Sequence, residues 1–204
     1  MSQNEAASEP AAGTAQATEH VEYDEAGQVR MRGTMVDGQL RGEVRFFAPE
    51  GHLTRVAHYE GALLVGEAVE YTASGQVSQR ASFVAGKLDG LLRRYDEAGK
   101  PALTAAYAQG KLHGEMLVYE NGQLLMQQRY AHGKKHGPGL TYDGSGALVM
   151  AASYKDDKLH GETVYYGPGK AVLRREPYHL GVLHGLVQDF YPDGSVREAT
   201  PYEA

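Results

Sequence analysis

The chain has no cysteine, no tryptophan and only four phenylalanines in 204 residues. Without cysteine there is no disulfide, no thiol nucleophile and no cysteine-ligated metal, although the redox compartment stays undecided. Nowhere do ~18 apolar residues run together, the length a membrane-spanning helix needs. Positive charge is scarce as well: 20 Lys and Arg face 26 Asp and Glu, a net charge of −6. Nucleic-acid binding needs a basic surface to displace counterions, so the balance argues against DNA or RNA as partner. It also weakens binding to anionic lipid, so membrane association is possible but not favoured. A basic protein partner is compatible with it. Hydrophobic residues make up 42% with few large aliphatic fillers, so a thick two-layer core is not expected.

The aromatics that are present fall into two columns. Starting from Met35, the positions Tyr59, Phe83, Tyr107, Tyr130, Tyr154, Tyr178 and Tyr202 follow at intervals of 24 residues, with one interval of 23. A second column, Tyr23, Phe47, Tyr71, Tyr95, Tyr119, Tyr142, Tyr166 and Phe190, repeats the spacing half a period out of phase. Together they hold 15 of the 18 aromatic residues, so a repeat sets these positions and the column aromatics are structural.

Glycine follows the same register. Each first-column aromatic opens a Tyr-x-x-Gly-x-Leu-x-Gly stretch, intact at Tyr107, Gly110, Leu112 and Gly114. Gly51, Gly75, Gly99, Gly122, Gly146, Gly169 and Gly194 mark one reversal of the unit. Gly42, Gly66, Gly90, Gly114, Gly137, Gly161 and Gly185 are expected to close the other. The segments between reversals are too short for stable helices and have strand length. In the longer segment the second residue after the turn glycine is usually apolar, and the sixth is usually small (Gly33, Ala57, Ala81, Ala105, Ala152). The eighth is the column aromatic. Even offsets place all three on one strand face. The fold class is therefore all-β: an elongated, single-layer antiparallel meander of stacked hairpins with period 24, about fifteen strands in all.

Residues 1–20, rich in Ala, Ser, Glu, Gln and Thr, lack this pattern and are expected to form a disordered arm. The repeat domain is expected over 21–204, a half unit followed by seven units. As written the chain shows no export signal, which implies the cytoplasm; a polar arm can also follow a removed signal, which would imply the periplasm.

The stretch Gly-Lys-Leu-His-Gly-Glu-x-x-x-Tyr at 110–119, with variants at 86–95 and 157–166, resembles the bacterial variant of the MORN repeat. The resemblance spans about residues 21–202. It implies a single-layer sheet of hairpins used as a recognition surface. Many bacterial proteins of this variant are described as antitoxin-like or immunity-like proteins encoded beside a toxin; eukaryotic MORN proteins are linked to membranes and scaffolding. Fold alone does not choose among these roles.

Three departures from the pattern stand out. The fifth unit has Lys135 for leucine, Pro138 and Gly139 after Gly137, and Gly144 close to Gly146, so residues 133–146 are the expected bend or weak point. Asp157 replaces a turn glycine, a substitution the left-handed region tolerates. Gly61 comes one place early, leaving Ala62 in the glycine slot and an irregular turn expected there.

Chemistry-bearing residues mostly recur with the unit. His113, His136, His160 and His184 each precede a glycine of the motif. Equivalent positions two strands apart are separated by roughly 9–10 Å, too far to share one zinc ion, so turn hydrogen bonding is the expected role and neither metal nor cofactor is expected. Glu43, Glu67, Glu115 and Glu162 also recur, and a catalytic site has no reason to be copied along a ribbon. No Gly-x-Ser-x-Gly elbow or phosphate loop occurs, and no catalytic residue is assigned. Residues outside the columns that break the polar pattern are the candidates for a partner surface: Phe46, Arg93, Arg94, Tyr165, Arg174, Arg175 and Tyr191. The sequence thus suggests a non-enzymatic module binding a protein, a toxin or effector neutralised by occlusion. A scaffold or membrane-associated protein is the alternative, and a metal-dependent hydrolase using the histidines a more distant one.

Overall fold

The structure, a computed structural model, describes residues 16–203. The first strands are β1 (Ala17–Tyr23), β2 (Val29–Val36), β3 (Gln39–Phe47), β4 (Leu53–Glu60), β5 (Leu63–Tyr71) and β6 (Val77–Val84). They continue with β7 (Lys87–Tyr95), β8 (Pro101–Ala108), β9 (Lys111–Glu120), β10 (Gln123–Ala131), β11 (Lys134–Tyr142) and β12 (Leu148–Lys155). The last are β13 (Lys158–Leu159), β14 (Gly161–Tyr166), β15 (Val172–His179), β16 (Val182–Leu183), β17 (Gly185–Phe190) and β18 (Val196–Tyr202). A single 3-10 turn, Pro168–Lys170, joins β14 to β15. Because β13 and β14 both pair with β12, and β16 and β17 both pair with β15, the eighteen segments make sixteen strands.

Each strand pairs antiparallel with its successor, from β1–β2 to β17–β18, in one open sheet. At roughly 4.8 Å per strand it is on the order of 70 Å long. The strand beyond the fifteen expected is β1. It begins at Ala17, inside the segment read as an arm, so the repeat domain starts earlier than residue 21; Thr18 and His20 pair with Met35 and Gly33 of β2. The remainder of that arm, residues 1–15, lies outside the described residues.

The tight hairpin turns use two residues at positive φ, as in Gln109–Gly110 (51° and 80°) and Leu180–Gly181 (50° and 93°). This is the type I′ pattern, whose twist matches that of the flanking strands. Asp156–Asp157 keeps it at 51° and 70°. The Gly61–Ala62 turn is not irregular. Glu60 pairs with Leu63 across it, and positive φ is confined to Gly61, the φ pattern of a type II′ turn, which takes glycine at its first central position. The interval of 23 has a similar local cause. Glu120 pairs with Gln123 across a two-residue Asn121–Gly122 turn, whereas five residues separate the paired Tyr95 and Pro101. In several of the longer turns an aspartate side chain accepts backbone N–H groups, as Asp96 does from Ala98 (3.0 Å) and Lys100 (2.8 Å).

The second reversal lies at the first glycine of Gly-x-Leu-x-Gly, not the second. Gly42, Gly66, Gly90, Gly114, Gly137, Gly161 and Gly185 sit in strands at positive φ of 67° to 116°. They are bulge residues: between β8 and β9 the pairing jumps from Ala105↔Met116 to Tyr107↔Leu112. Turn and bulge both demand φ > 0, so glycine content alone does not separate them. On its other side each bulge glycine faces the next strand's column aromatic, as Gly90 faces Tyr107 and Gly114 faces Tyr130. The bulge also directs a leucine carbonyl toward the following hairpin. Gly86, Gly110 and Gly133 donate their N–H groups to the carbonyls of Leu64, Leu88 and Leu112, each at 2.8 Å. Every such bond fastens a turn to the unit before it.

The core is a line along one face of the sheet, here called the inner face. Val44 and Ala57 lie opposite one another and are fully buried; Ala68, Ala81, Leu92, Ala105 and Ala152 continue the line. Phe46, Tyr59 and Phe83 pack against Ala57, Leu64 and Ala68. The small residues at the sixth offset let these rings close over the sheet. Two departures are accommodated locally. Gln128 fills a small-residue position and faces the strand where Gly139 leaves room: a Cβ at Gly139 would collide with the Gln128 amide oxygen. Lys135 replaces leucine, and its ammonium lies 5.1 Å from the centre of the Tyr154 ring. β11 accordingly runs unbroken through Pro138 and Gly139, and the interruptions fall instead beside His160 and His184.

Candidate functional site

Strand alternation distributes the candidate partner residues over both faces and one turn. Phe46, Arg94, Tyr165 and Arg174 are on the inner face, Arg93 and Arg175 on the outer face, and Tyr191, half exposed, is in the last turn. They form no single patch. Phe46 lies under the Arg55 guanidinium, and Arg94 donates to Gln79 at 2.8 Å. Arg175 is 3.9 Å from Glu162 and lies over the Phe190 ring.

Tyr165 and Arg174 belong to a network centred on Glu176, a carboxylate in the small-residue line and only 9% exposed. The Arg174 Nε donates to Glu176 Oε1 at 2.7 Å; the Tyr165 and Tyr178 hydroxyls donate to Oε2 at 3.2 and 3.0 Å. Arg174 also holds both carboxylate oxygens of Asp189, at 2.9 and 3.1 Å. Burial by itself would push the Glu176 carboxyl up, but the hydrogen bonds from Arg174, Tyr178 and Tyr165, with the Arg174 charge, leave it below its ordinary value. The Tyr178 hydroxyl is pushed up to about 12, first by burial and then by its bond to the Glu176 carboxylate. Across the sheet Thr163 is 1% exposed and faces Glu176, its hydroxyl without a hydrogen-bond partner. The sequence signal for this cluster was a carboxylate where most units place alanine.

The recurring polar residues serve the array. Asp89 accepts from the Gln109 N–H at 3.1 Å, and His113, one unit later at the same position, accepts from the His132 N–H at 3.4 Å. At His113 and His160 this position reaches the first residue of the next tight turn, the role expected for the histidines. Their rings meet neighbours outside the expected ladder: His113 and His132 lie 5.0 Å apart, and His160 and His179 5.1 Å. Among the described residues no group of three or more His, Asp or Glu is placed to hold a metal ion. Glu43, Glu67 and Glu115 bond Arg45, Arg80 and Gln127 at 2.7 to 2.8 Å. One recess of about 370 Å³ sits at the Gly114 and Gly137 bulges, lined by His113, Arg129, Tyr130, His136 and Pro138. No described helix is long and apolar enough to cross a membrane.

The unit is now defined by a tight turn, a bulge glycine and two aromatics on paired strands. Residues 183–204 match the family model of the MORN repeat variant. That segment is the last unit, with bulge glycine Gly185 facing Tyr202, and the same combination of bulge glycine and facing aromatic recurs back through the sheet, as at Gly114 and Tyr130. No curated protein matches the chain.

Proposed function

We propose that this chain is a non-enzymatic protein-binding module whose partner is a toxin or effector neutralised by contact. The observation that supports a binding role is the open meander itself. Most of the recurring polar side chains are engaged in holding turns and neighbouring units together, while two faces about 70 Å long stay open to solvent. A stable complex needs about 1,000 Å² of buried surface, which a few hairpins of such a ribbon provide. The toxin-directed part rests on the resemblance to antitoxin-like and immunity-like proteins.

The test is co-expression with the product of a neighbouring toxin gene, with growth and co-purification as readouts. Protection together with a complex that survives purification supports the reading. Truncation after Thr141, which removes β12 to β18, should abolish both, since it exposes an interior edge and discards the terminal units. A full-length protein that neither binds nor protects would sink the proposal; cosedimentation with lipid vesicles in that case would favour the membrane scaffold.

A further inference from the structure

The small-residue line and both aromatic columns repeat with the unit, whereas a row of residues on the outer face does not. Reading across adjacent strands from β2 to β7, it runs Arg32, Arg45, Val56, Val69, Arg80 and Arg93. Arg32 is directly opposite Arg45, and Arg80 directly opposite Arg93, like charges in the arrangement that destabilises a sheet. Further along, the same row holds Thr104, Leu117, Gln127 and Leu140. The paired arginines are therefore a local choice and not a requirement of the repeat.

Three carboxylates touch the row: Glu19 at 3.5 Å from Arg32, Glu43 at 2.7 Å from Arg45 and Glu67 at 2.8 Å from Arg80. They leave an excess of positive charge, and Arg93 makes no ion pair among the described residues. Each paired guanidinium also retains donors beyond the one its glutamate uses. The Arg32–Arg45 pair borders a recess of about 680 Å³ that Arg41 also lines. Between the two arginine pairs Val56 and Val69 form an apolar floor, with Val69 only 8% exposed.

We propose that this row binds an extended acidic segment of a protein partner, with acidic side chains at positions i and i+6 and apolar side chains at i+2 and i+4. The spacing follows from the sheet. The centres of the two arginine pairs are four strands apart, about 19 Å, and six residues of extended chain span about 20 Å. Alternate side chains of that segment face the row, so two acidic groups meet the guanidiniums while two apolar ones rest on the valines. A continuous anionic surface such as a membrane fits less well. The three glutamates beside the row and the net charge of −6 repel it, whereas a single strand can follow the line of arginines. The inference rests on the binding-module reading and adds the chemistry of the partner.

The probe is a fluorescein-labelled peptide of sequence Glu-Ser-Val-Ser-Val-Ser-Glu, titrated into the full-length protein and followed by anisotropy. Its control is the same composition reordered with both glutamates at one end. The spaced peptide should bind better than the control. Arg45→Ala with Arg93→Ala should weaken it by at least about tenfold, and Arg129→Ala, on the same face outside the row, should leave it unchanged. Arg93→Ala alone disturbs no ion pair and should show a smaller loss in a fold left intact by circular dichroism. Equal binding of both peptides, no binding, or equal loss in the Arg129 variant would overturn the proposal. So would binding to phosphatidylserine vesicles without binding to the peptide. Undiminished toxin neutralisation by the Arg45→Ala, Arg93→Ala protein would remove the row while leaving the binding-module reading in place.

Discussion

Tyr178 donates a 3.0 Å hydrogen bond to Glu176, two residues earlier on the same strand and on the same face. A carboxylate in the interior line of a thin sheet is stable there because Tyr178, Tyr165 and Arg174 all donate to it. The pair gives the C-terminal units a titration behaviour that the alanine-lined units lack.

Alkali should weaken the fold through Tyr178. Its folded-state value is raised to about 12 from 10.0. The stabilisation is therefore complete below pH 10 and lost as pH rises toward 12, an effect on the order of 2 kcal/mol. Urea midpoints measured across that range should fall more steeply in the wild-type protein than in Tyr178→Phe. Parallel curves would show that the hydroxyl–carboxylate bond contributes nothing.

Acid should act through the other partner. Glu176 is held below its ordinary value, so its contribution is present above the normal glutamate range and disappears as pH falls through the depressed one. Glu176→Gln should be less stable at neutral pH and show a flatter decline between about pH 5 and 3. An unchanged acid slope in the variant would contradict the network.

Gln128 and Gly139 should be coupled. Gly139→Ala puts a Cβ against the Gln128 amide oxygen and should cost roughly 1–3 kcal/mol, as overpacking does. Gln128→Ala restores the small residue found in most units and should recover much of that loss in the double variant. Additive effects in a double-mutant cycle would mean that the contact is relieved elsewhere.

Tyr107→Ala removes a ring from the first column and should lower stability by roughly 3 kcal/mol. Tyr191→Ala, half exposed in the last turn, should stay within about 0.5 kcal/mol. Thermal melts of the two variants make the comparison, and similar melting temperatures would deny the column its structural role.

The period, strand parity and antiparallel order could all be read from the sequence, because each is repeated often enough to average out local exceptions. The first-column aromatics and small residues such as Ala57 and Ala105 did the same for the inner face. What escaped was the difference between two demands for positive φ. Gly110 turns the chain and Gly114 bulges it, and only the pairing across β8 and β9 separates them. The shift at Gly61–Ala62 likewise exchanges one primed turn for another, which a rule based on glycine position alone registers as a defect. Among candidate surface residues, Tyr165 and Arg174 looked available because their partner, Glu176, lies in a line where alanine was expected. Cross-strand placement of Arg32, Arg45, Arg80 and Arg93 depends on register, which the bulges displace and composition does not reveal.

The hydrogen bond from a tight-turn amide to a carbonyl of the unit before it, a leucine carbonyl in most units and that of Lys135 at Asp157, makes the ribbon adjustable in length. Removing residues 87–110 would leave Gly86 bonded to Leu64 and Gly133 bonded to Leu112, with Gly86 now followed by Lys111, a residue that already follows such a turn. Both fastenings are preserved and the sheet faces keep their sides, while the ribbon shortens by two strands, about 10 Å. Unit number can thus drift by duplication or loss without redesign of any joint, and the reach of the molecule becomes a quantity that selection can set in steps of one hairpin.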